Sequence, residues 1–303
     1  MVGLEKSAIL LTGGSGQVGT EIQARGFSGH DLIAPASSEL NIADPEAVRT
    51  LMASRSWAAV INCAAYTGVD QAEVEPMSAW ATNADGPAAL ARACQTAQIP
   101  LIHISTDYVF DGEMGRAYVE TDPIAPLGVY GASKAAGELA VRAICPRHVI
   151  LRTAWVVSAQ GRNFARTMLG LAGTRDHLQV VNDQTGCPTA AGDIADCVIA
   201  IAERLLTDPD TPLGTYHFVN AGQASWFDLA SAIFRQAQAQ GVRVPALTAV
   251  STDAYPTLSR RPKNSRLDTG RLTSDFGMTP RPWQVAVEEV VSTLLAGMNP
   301  VRA

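Results

Sequence analysis

Ala8-Ile9-Leu10-Leu11-Thr12-Gly13-Gly14-Ser15-Gly16-Gln17-Val18-Gly19 is the stretch on which the fold turns. A short apolar run passes straight into a glycine-rich turn, and the residues that follow can form a helix. The glycines parse as G-x-x-G-x-x-G (Gly13, Gly16, Gly19) or as G-x-G-x-x-G (Gly14, Gly16, Gly19). Either spacing permits a tight turn, close approach of the backbone to a pyrophosphate and close packing of helix on strand. The helix then presents its N-terminus to the phosphates. Alone, such a triplet is about as common in an ordinary β–α turn, so the surrounding rhythm decides its meaning.

That rhythm is an alternation. Apolar runs at 8–12, 31–34, 58–64, 101–105 and 149–153 read as buried strands, with amphipathic helical stretches at 17–26, 45–54, 76–97 and 133–144. Near-continuous apolar strands separated by helices imply a parallel sheet covered on both faces, a doubly wound α/β fold of Rossmann type. Ligands of such sheets lie beyond the carboxyl ends of the strands. Gly13, Ala64-Ala65-Tyr66 and Thr106-Asp107 all fall at those ends. After Thr153 the pattern loosens around Gly161, Gly186 and Pro188. The expected organisation is a dinucleotide-binding core over 1–153 and a smaller lobe over 154–303, mainly substrate-binding, with segments returning to the core.

Composition narrows the function classes. The chain has 303 residues, 47% hydrophobic and 17% charged, enough to bury a large core and too apolar for disorder. A net charge of −6 argues against nucleic acid as the main partner. Five scattered cysteines without a C-x-x-C pair suit free thiols in a reducing compartment, not a disulfide framework or zinc site. No apolar run reaches the ~20 residues of a membrane span, and a cytoplasmic protein is expected.

The chemistry concentrates in Tyr130-Gly131-Ala132-Ser133-Lys134. Residues four apart on a helix share a face, so an ammonium would sit one turn from a phenol. Such a neighbour favours the phenolate and is expected to draw the phenol's pKa down from its usual ~10. Thr106, ending the fourth strand, could place a hydroxyl against the tyrosine. With a dinucleotide bound at the glycine turn, the set describes hydride transfer coupled to proton transfer. After the second strand, Ala34-Pro35-Ala36-Ser37-Ser38 offers neither the acid that selects NAD nor a base for an extra phosphate. NADPH is preferred on the reductive role, and NADH is possible.

At this point the chain resembles the extended short-chain dehydrogenases/reductases, and within them the dTDP-4-dehydrorhamnose reductases. The resemblance is carried by Asn62-Cys63-Ala64-Ala65-Tyr66-Thr67-Gly68-Val69-Asp70, Ser105-Thr106-Asp107-Tyr108-Val109-Phe110-Asp111-Gly112 and Val129-Tyr130-Gly131-Ala132-Ser133-Lys134. Arg152-Thr153-Ala154-Trp155, Asn163-Phe164, 182–189 and 261–267 continue it in the same order along the whole chain. It implies reduction of the 4-keto group of dTDP-4-dehydro-6-deoxy-L-mannose to dTDP-L-rhamnose. Tyr130 would be the proton donor, Lys134 the ribose contact and Thr106 its tuning partner. Gly13, Gly16, Gln17, Val18 and Gly19 would hold the pyrophosphate, Asn41 and Ile42 the adenine side, and Ala64, Ala65, Tyr66 and Thr67 the middle of the cofactor. Thr106, Asp107, Trp155, Asn163, Arg261 and Arg266 would meet the nucleotide sugar.

Several readings stay open. Trp155 could be core, Asn163 a helix cap, and the arginines at 260, 261 and 266 a solvated loop. Family members that bind Mg²⁺ between subunits use an acidic cluster; here Gly192 and Thr293 stand at two of those places and only Glu21 is acidic. No metal is expected, and the chain would be a monomer or homodimer. The alternatives in function are a reductase or epimerase of another nucleotide-4-ketohexose, and a non-catalytic NADP-binding subunit like the regulatory one of methionine adenosyltransferase.

Overall fold

A computed structural model describes residues 7–298, so the outermost ends of the expected 1–153 and 154–303 division lie outside the described residues. The first half runs β1 (Ala8–Thr12), α1 (Gln17–Arg25), β2 (Leu32–Ile33), α2 (Pro45–Ala53), β3 (Trp57–Asn62), α3 (Val69–Val74) and α4 (Pro76–Trp80). A π-helical turn (Ala81–Asp85) leads into α5 (Gly86–Ala97), followed by β4 (Leu101–Thr106), α6 (Val129–Ile144) and β5 (His148–Thr153). The second half begins with β6 (Val156–Val157), α7 (Phe164–Leu171), β7 (His177–Val181), β8 (Thr185–Gly186), β9 (Thr189–Ala190) and α8 (Ala191–Thr207). It ends with β10 (Gly214–His217), β11 (Ala224–Ser225), α9 (Trp226–Ala239), β12 (Ala246–Val250), α10 (Gly270–Phe276) and α11 (Trp283–Met298).

Six parallel strands form the main sheet in the order β10-β5-β4-β3-β1-β2. Alternate residues of each strand face opposite layers. Ile9, Leu11 and Ile61 pack on one side with Ile194, Val198 and Ile201 of α8. Leu10, Val60 and Leu101 pack on the other with Val48, Leu90, Cys94 and Val141. Full burial of each such side chain stabilises by roughly 1.5–3 kcal/mol. The chain leaves β1 for β2 on one side and returns to β3 on the other, so the switch point, where such sheets bind ligands, lies between β1 and β3.

Local chemistry fixes the helix ends. Asp44 accepts the Glu46 and Ala47 amides ahead of α2, with Pro45 at the first helical position. Ser225 and Asp228 cap α9 reciprocally. α6 starts four residues before the expected 133, because its first amide, Val129 N, is capped by Glu73 Oε1 at 2.9 Å, 56 residues away in sequence. In the second half, α7, α9 and α11 pack around Leu169, Leu229, Ile233, Val287 and Val291, beside the parallel pair β7–β12.

Candidate active site

A cleft of about 810 Å³ opens over the carboxyl ends of the strands. One end is the turn between β1 and α1. Gly13 holds φ +72°, and a Cβ there would lie 2.4 Å from Ala64 N. A Cβ on Gly19 would lie 2.2 Å from the Gly13 carbonyl. The capping position of α1 is the extended Gly16, whose lack of a side chain leaves the first amides open to a ligand. Gln17 contributes a buried Oε1 without a partner. This cradle fits a dinucleotide pyrophosphate. Val18, Asn41 and Ile42 line the same cleft, with Pro35 and Ser37 beside them.

The floor is set by a polar row across the sheet. Thr12 Oγ1 donates to Asn62 Oδ1 at 2.6 Å, the Ala64 amide donates to the same oxygen at 3.1 Å, and Asn62 Nδ2 donates to His103 Nδ1 at 3.0 Å. Burial lowers the His103 pKa well below its usual range, which keeps the ring neutral and Nδ1 an acceptor. Asn83, fully buried in the π-helical turn, clamps both backbone groups of Tyr66: it accepts from Tyr66 N at 2.8 Å and donates to Tyr66 O at 3.0 Å. Asn83 also donates to Ser133 Oγ, which donates to the Tyr130 carbonyl. His103 and Asn83 escaped the sequence reading, and Asn62 entered it only within the family resemblance; an asparagine in the alanine-rich 79–91 stretch was the available signal.

Tyr130 and Lys134 lie in the middle of the cleft, 9% and 2% exposed. The Tyr130 ring meets Tyr108 edge-on at 5.4 Å. Lys134 Nζ donates to the Ile104 carbonyl at 2.7 Å. The expected lowering of the phenol's pKa by this lysine is not what the environment produces. Burial raises Tyr130 well above its ordinary value; the Thr106 hydroxyl opposes this, and Asp107 reinforces it. Spacing placed the ammonium one turn away, but desolvation of the phenolate outweighs its neighbours. Tyr130 is therefore a protonated phenol at neutral pH, the state of an acid. Burial also lowers Lys134 to about 8, against the Glu138 carboxylate, and pushes Asp107 up to about 6. Thr106 Oγ1 donates to Asp107 Oδ1 at 3.1 Å and accepts from Tyr108 N at 3.2 Å.

Trp155, Asn163, Arg162 and Gly161 also line the cleft, and a Cβ on Gly161 would lie 3.3 Å from Gln17 Cγ of the cradle. The Trp155 backbone sits at φ +49°, in the left-handed region uncommon for such a residue. Its indole stacks on Trp226 with centroids 3.6 Å apart, and a Cβ on Gly186 would lie 2.3 Å from the Trp155 ring. Asn163 both lines the cleft and caps α7, accepting from Arg166 N.

Three expected residues are not on the cleft wall. Tyr66 turns its hydroxyl away to Glu75, at 2.8 Å. Arg261 is held by Asp70 at 2.6 Å, and Arg266 by Asn264, Gln223 and the Gly115 carbonyl. Arg266 is met by neutral acceptors, while Arg261 uses Nη2 on Asp70 and keeps a buried Nη1 without a partner; Arg162 is the arginine that lines the cleft. Glu21, Gly192 and Thr293 border a second cavity of about 860 Å³, where Arg25 bonds Glu21 and Asp196 while Arg281 bonds Asp193 and Glu289.

Among the described residues, no helix is long and apolar enough to cross a membrane. The family described as RmlD substrate binding domain matches residues 7–296. The dTDP-4-dehydrorhamnose reductase of Aggregatibacter actinomycetemcomitans is 43% identical over 93% of this chain and 97% of its own. That of Escherichia coli K12 is 42% identical over 94% and 97%. The crystal structure of a dTDP-4-dehydrorhamnose reductase from Clostridium acetobutylicum superposes with a TM-score of 0.88 at 36% identity, covering 95% of this chain and 99% of that one. The Bacillus anthracis enzyme in complex with NADP gives 0.86 at 34% identity, covering 94% and 99%. With its glycine cradle, its buried Tyr130–Lys134 pair and relatives matched nearly end to end, the chain belongs to the dTDP-4-dehydrorhamnose reductase family.

Proposed function

We infer that this chain reduces the 4-keto group of dTDP-4-dehydro-6-deoxy-L-mannose to dTDP-L-rhamnose with NADPH, in nucleotide-sugar biosynthesis. The observation that carries the reading is a neutral, buried phenol, Tyr130, in one cleft with Lys134, the dinucleotide cradle and Trp155. NADPH, when bound, supplies the hydride. Gly13, Gly16 and Gly19 admit its pyrophosphate to the N-terminus of α1, and Asn41 and Ile42 flank its adenine side. Lys134, charged below about pH 8, offers hydrogen bonds to its ribose. Negative charge grows on the sugar's 4-oxygen during reduction, and Tyr130 relieves it by giving up the phenolic proton. A phenol whose pKa is raised keeps that proton until the oxygen becomes basic enough to take it. Thr106 and Asp107 stand beside the phenol to receive the sugar, and Trp155 and Asn163 bound the space around it. NADH is an allowed second cofactor, because Pro35 and Ser37 repel neither form. The same reading places the protein in the cytoplasm as a monomer or homodimer.

The test is NADPH and NADH oxidation by the purified protein with dTDP-4-dehydrorhamnose generated in the assay. Turnover inhibited by dTDP more strongly than by UDP or GDP is expected. Tighter binding of UDP or GDP would move the substrate to another nucleotide sugar. NADPH binding without oxidation by any 4-keto sugar would refute the catalytic reading.

A further inference from the structure

The helix that carries Tyr130 starts at a junction of three distant segments. Its capping position is Gly128, which has no side chain to offer the first turn. Glu73, on α3, supplies the missing acceptor: its Oε1 takes the Val129 amide at 2.9 Å and the Ser259 hydroxyl at 2.9 Å. The fit is tight, since a Cβ on Gly128 would lie 2.4 Å from Glu73 Oε1 and 2.6 Å from Ser259 Oγ. Ser259 is 2% exposed, and its amide donates to Asp70 Oδ1 at 3.0 Å, one turn before Glu73 on the same helix. Asp70 also takes Arg261 Nη2 at 2.6 Å. The Arg261 guanidinium lies 6.0 Å from the centre of the Tyr108 ring, which packs edge-on against Tyr130. Two routes thus join the 259–261 segment to the tyrosine: through Glu73 to the start of its helix, and through Arg261 and Tyr108 to its ring.

We propose that Glu73 is a positioning residue for Tyr130, capping the helix of the proton donor from outside it and tying the 259–261 segment to that helix. The proposal rests on the reading of Tyr130 as proton donor. Tyr130 is the second residue of α6, so the first turn fixes where its ring stands. A free Val129 amide at that end would let the turn fray, moving the phenol relative to the sugar without touching the glycine cradle. The carboxylate also suits the positive end of the helix dipole.

The test uses the full chain with Glu73→Ala, Glu73→Gln and Gly128→Ala. Turnover, NADPH affinity by fluorescence titration, thermal midpoint and hydrogen–deuterium exchange of the 129–134 amides are all measured. Glu73→Ala is expected to lower kcat roughly 10- to 100-fold with NADPH affinity unchanged, as a misplacement near 1 Å would. Exchange at 129–134 should quicken. Glu73→Gln, whose amide oxygen can accept the same N–H, should recover most of the turnover, and Gly128→Ala should reproduce the loss. The proposal is overturned if Glu73→Ala turns over like the wild type, or if kcat, NADPH affinity and thermal midpoint fall together without rescue by glutamine. The exchange measurement needs no substrate. Unchanged exchange overturns the cap whatever the turnover; faster exchange in a protein whose wild type reduces no keto sugar upholds the cap and refutes the reaction instead.

Discussion

Gly13→Ala tests whether close backbone approach, and not only a permissive dihedral, builds the cofactor cradle. Gly13 and Gly277 hold nearly the same φ, +72° and +70°. A Cβ on Gly277 meets nothing within 4 Å, whereas one on Gly13 would lie 2.4 Å from Ala64 N and 2.6 Å from Cys63 C. Both alanines incur the left-handed strain, about 1–2 kcal/mol. Ordinary contact begins at 3.4 Å, so Gly13→Ala must also push the Ala64 backbone away by about 1 Å. That backbone is pinned by Asn62 Oδ1 and by the bond from Cys63 N to Thr12 O. Overpacking of this kind adds about 1–3 kcal/mol. The same shift carries the 64–67 floor away from the cradle and should weaken NADPH binding, while a misplacement near 1 Å lowers turnover by roughly 100-fold. Urea denaturation of both variants gives the stability difference, and fluorescence titration gives the affinity. A Gly13→Ala protein no less stable than Gly277→Ala, binding NADPH as the wild type does, would refute the reasoning.

Tyr130→Phe should lower kcat by about 10²–10⁴-fold and leave NADPH affinity intact, checked by steady-state kinetics and titration. Lys134 is lowered to about 8, so its ammonium is present below that pH and lost above it. The kcat/KM profile should therefore fall as pH rises through about 8, and Lys134→Arg should remove that limb. A wild-type profile flat to strongly alkaline pH would count against the lysine's role. Glu138 and Arg152 are 0% and 1% exposed and share two hydrogen bonds, at 2.8 and 2.7 Å. Glu138→Gln should cost about 3–5 kcal/mol in denaturation, because it strands a buried guanidinium. Burial resists ionisation of Glu138, yet Arg152 holds its carboxyl below the ordinary 4.5. The pair's contribution is thus complete above that pH and lost as acid protonates the folded carboxylate; stability measured down the acid range should show this loss in the wild type and not in Glu138→Gln.

What the sequence made legible was local. Ala8–Thr12 and the glycines after it declare a strand, a tight turn and a helix start within twelve residues, and each property depends on near neighbours. The parallel sheet followed from the apolar runs, and the positions at strand ends followed from the sheet. The start of α6 was only partly legible: the Tyr130–Lys134 spacing needs a helix by 130, ahead of the amphipathic stretch at 133–144, but the cap at Val129 is Glu73, remote in sequence. The second-half strand Gly214–His217 was hidden, because four residues join the sheet only through pairing with β5. Arg261 shows the limit of charge reasoning. A guanidinium seeks an oxyanion, but sequence does not say whether Asp70 or a ligand provides it. Tyr130 shows the limit of spacing: Lys134 stands one turn along, yet the phenol's titration is governed by burial, a property of the whole fold.

The placement of α8 and β10 bears on how the molecule comes into being. β10 extends the sheet beyond β5, and α8 covers the face formed by Ile9, Leu11 and Ile61. A chain ending at Thr153 would thus carry a bare strand edge and an uncovered apolar face, a template for self-association. During synthesis the six-stranded sheet cannot be completed until residues up to His217 have emerged. A fragment ending at Thr153 is therefore expected to aggregate where the intact chain folds, which expression and size-exclusion of both would check.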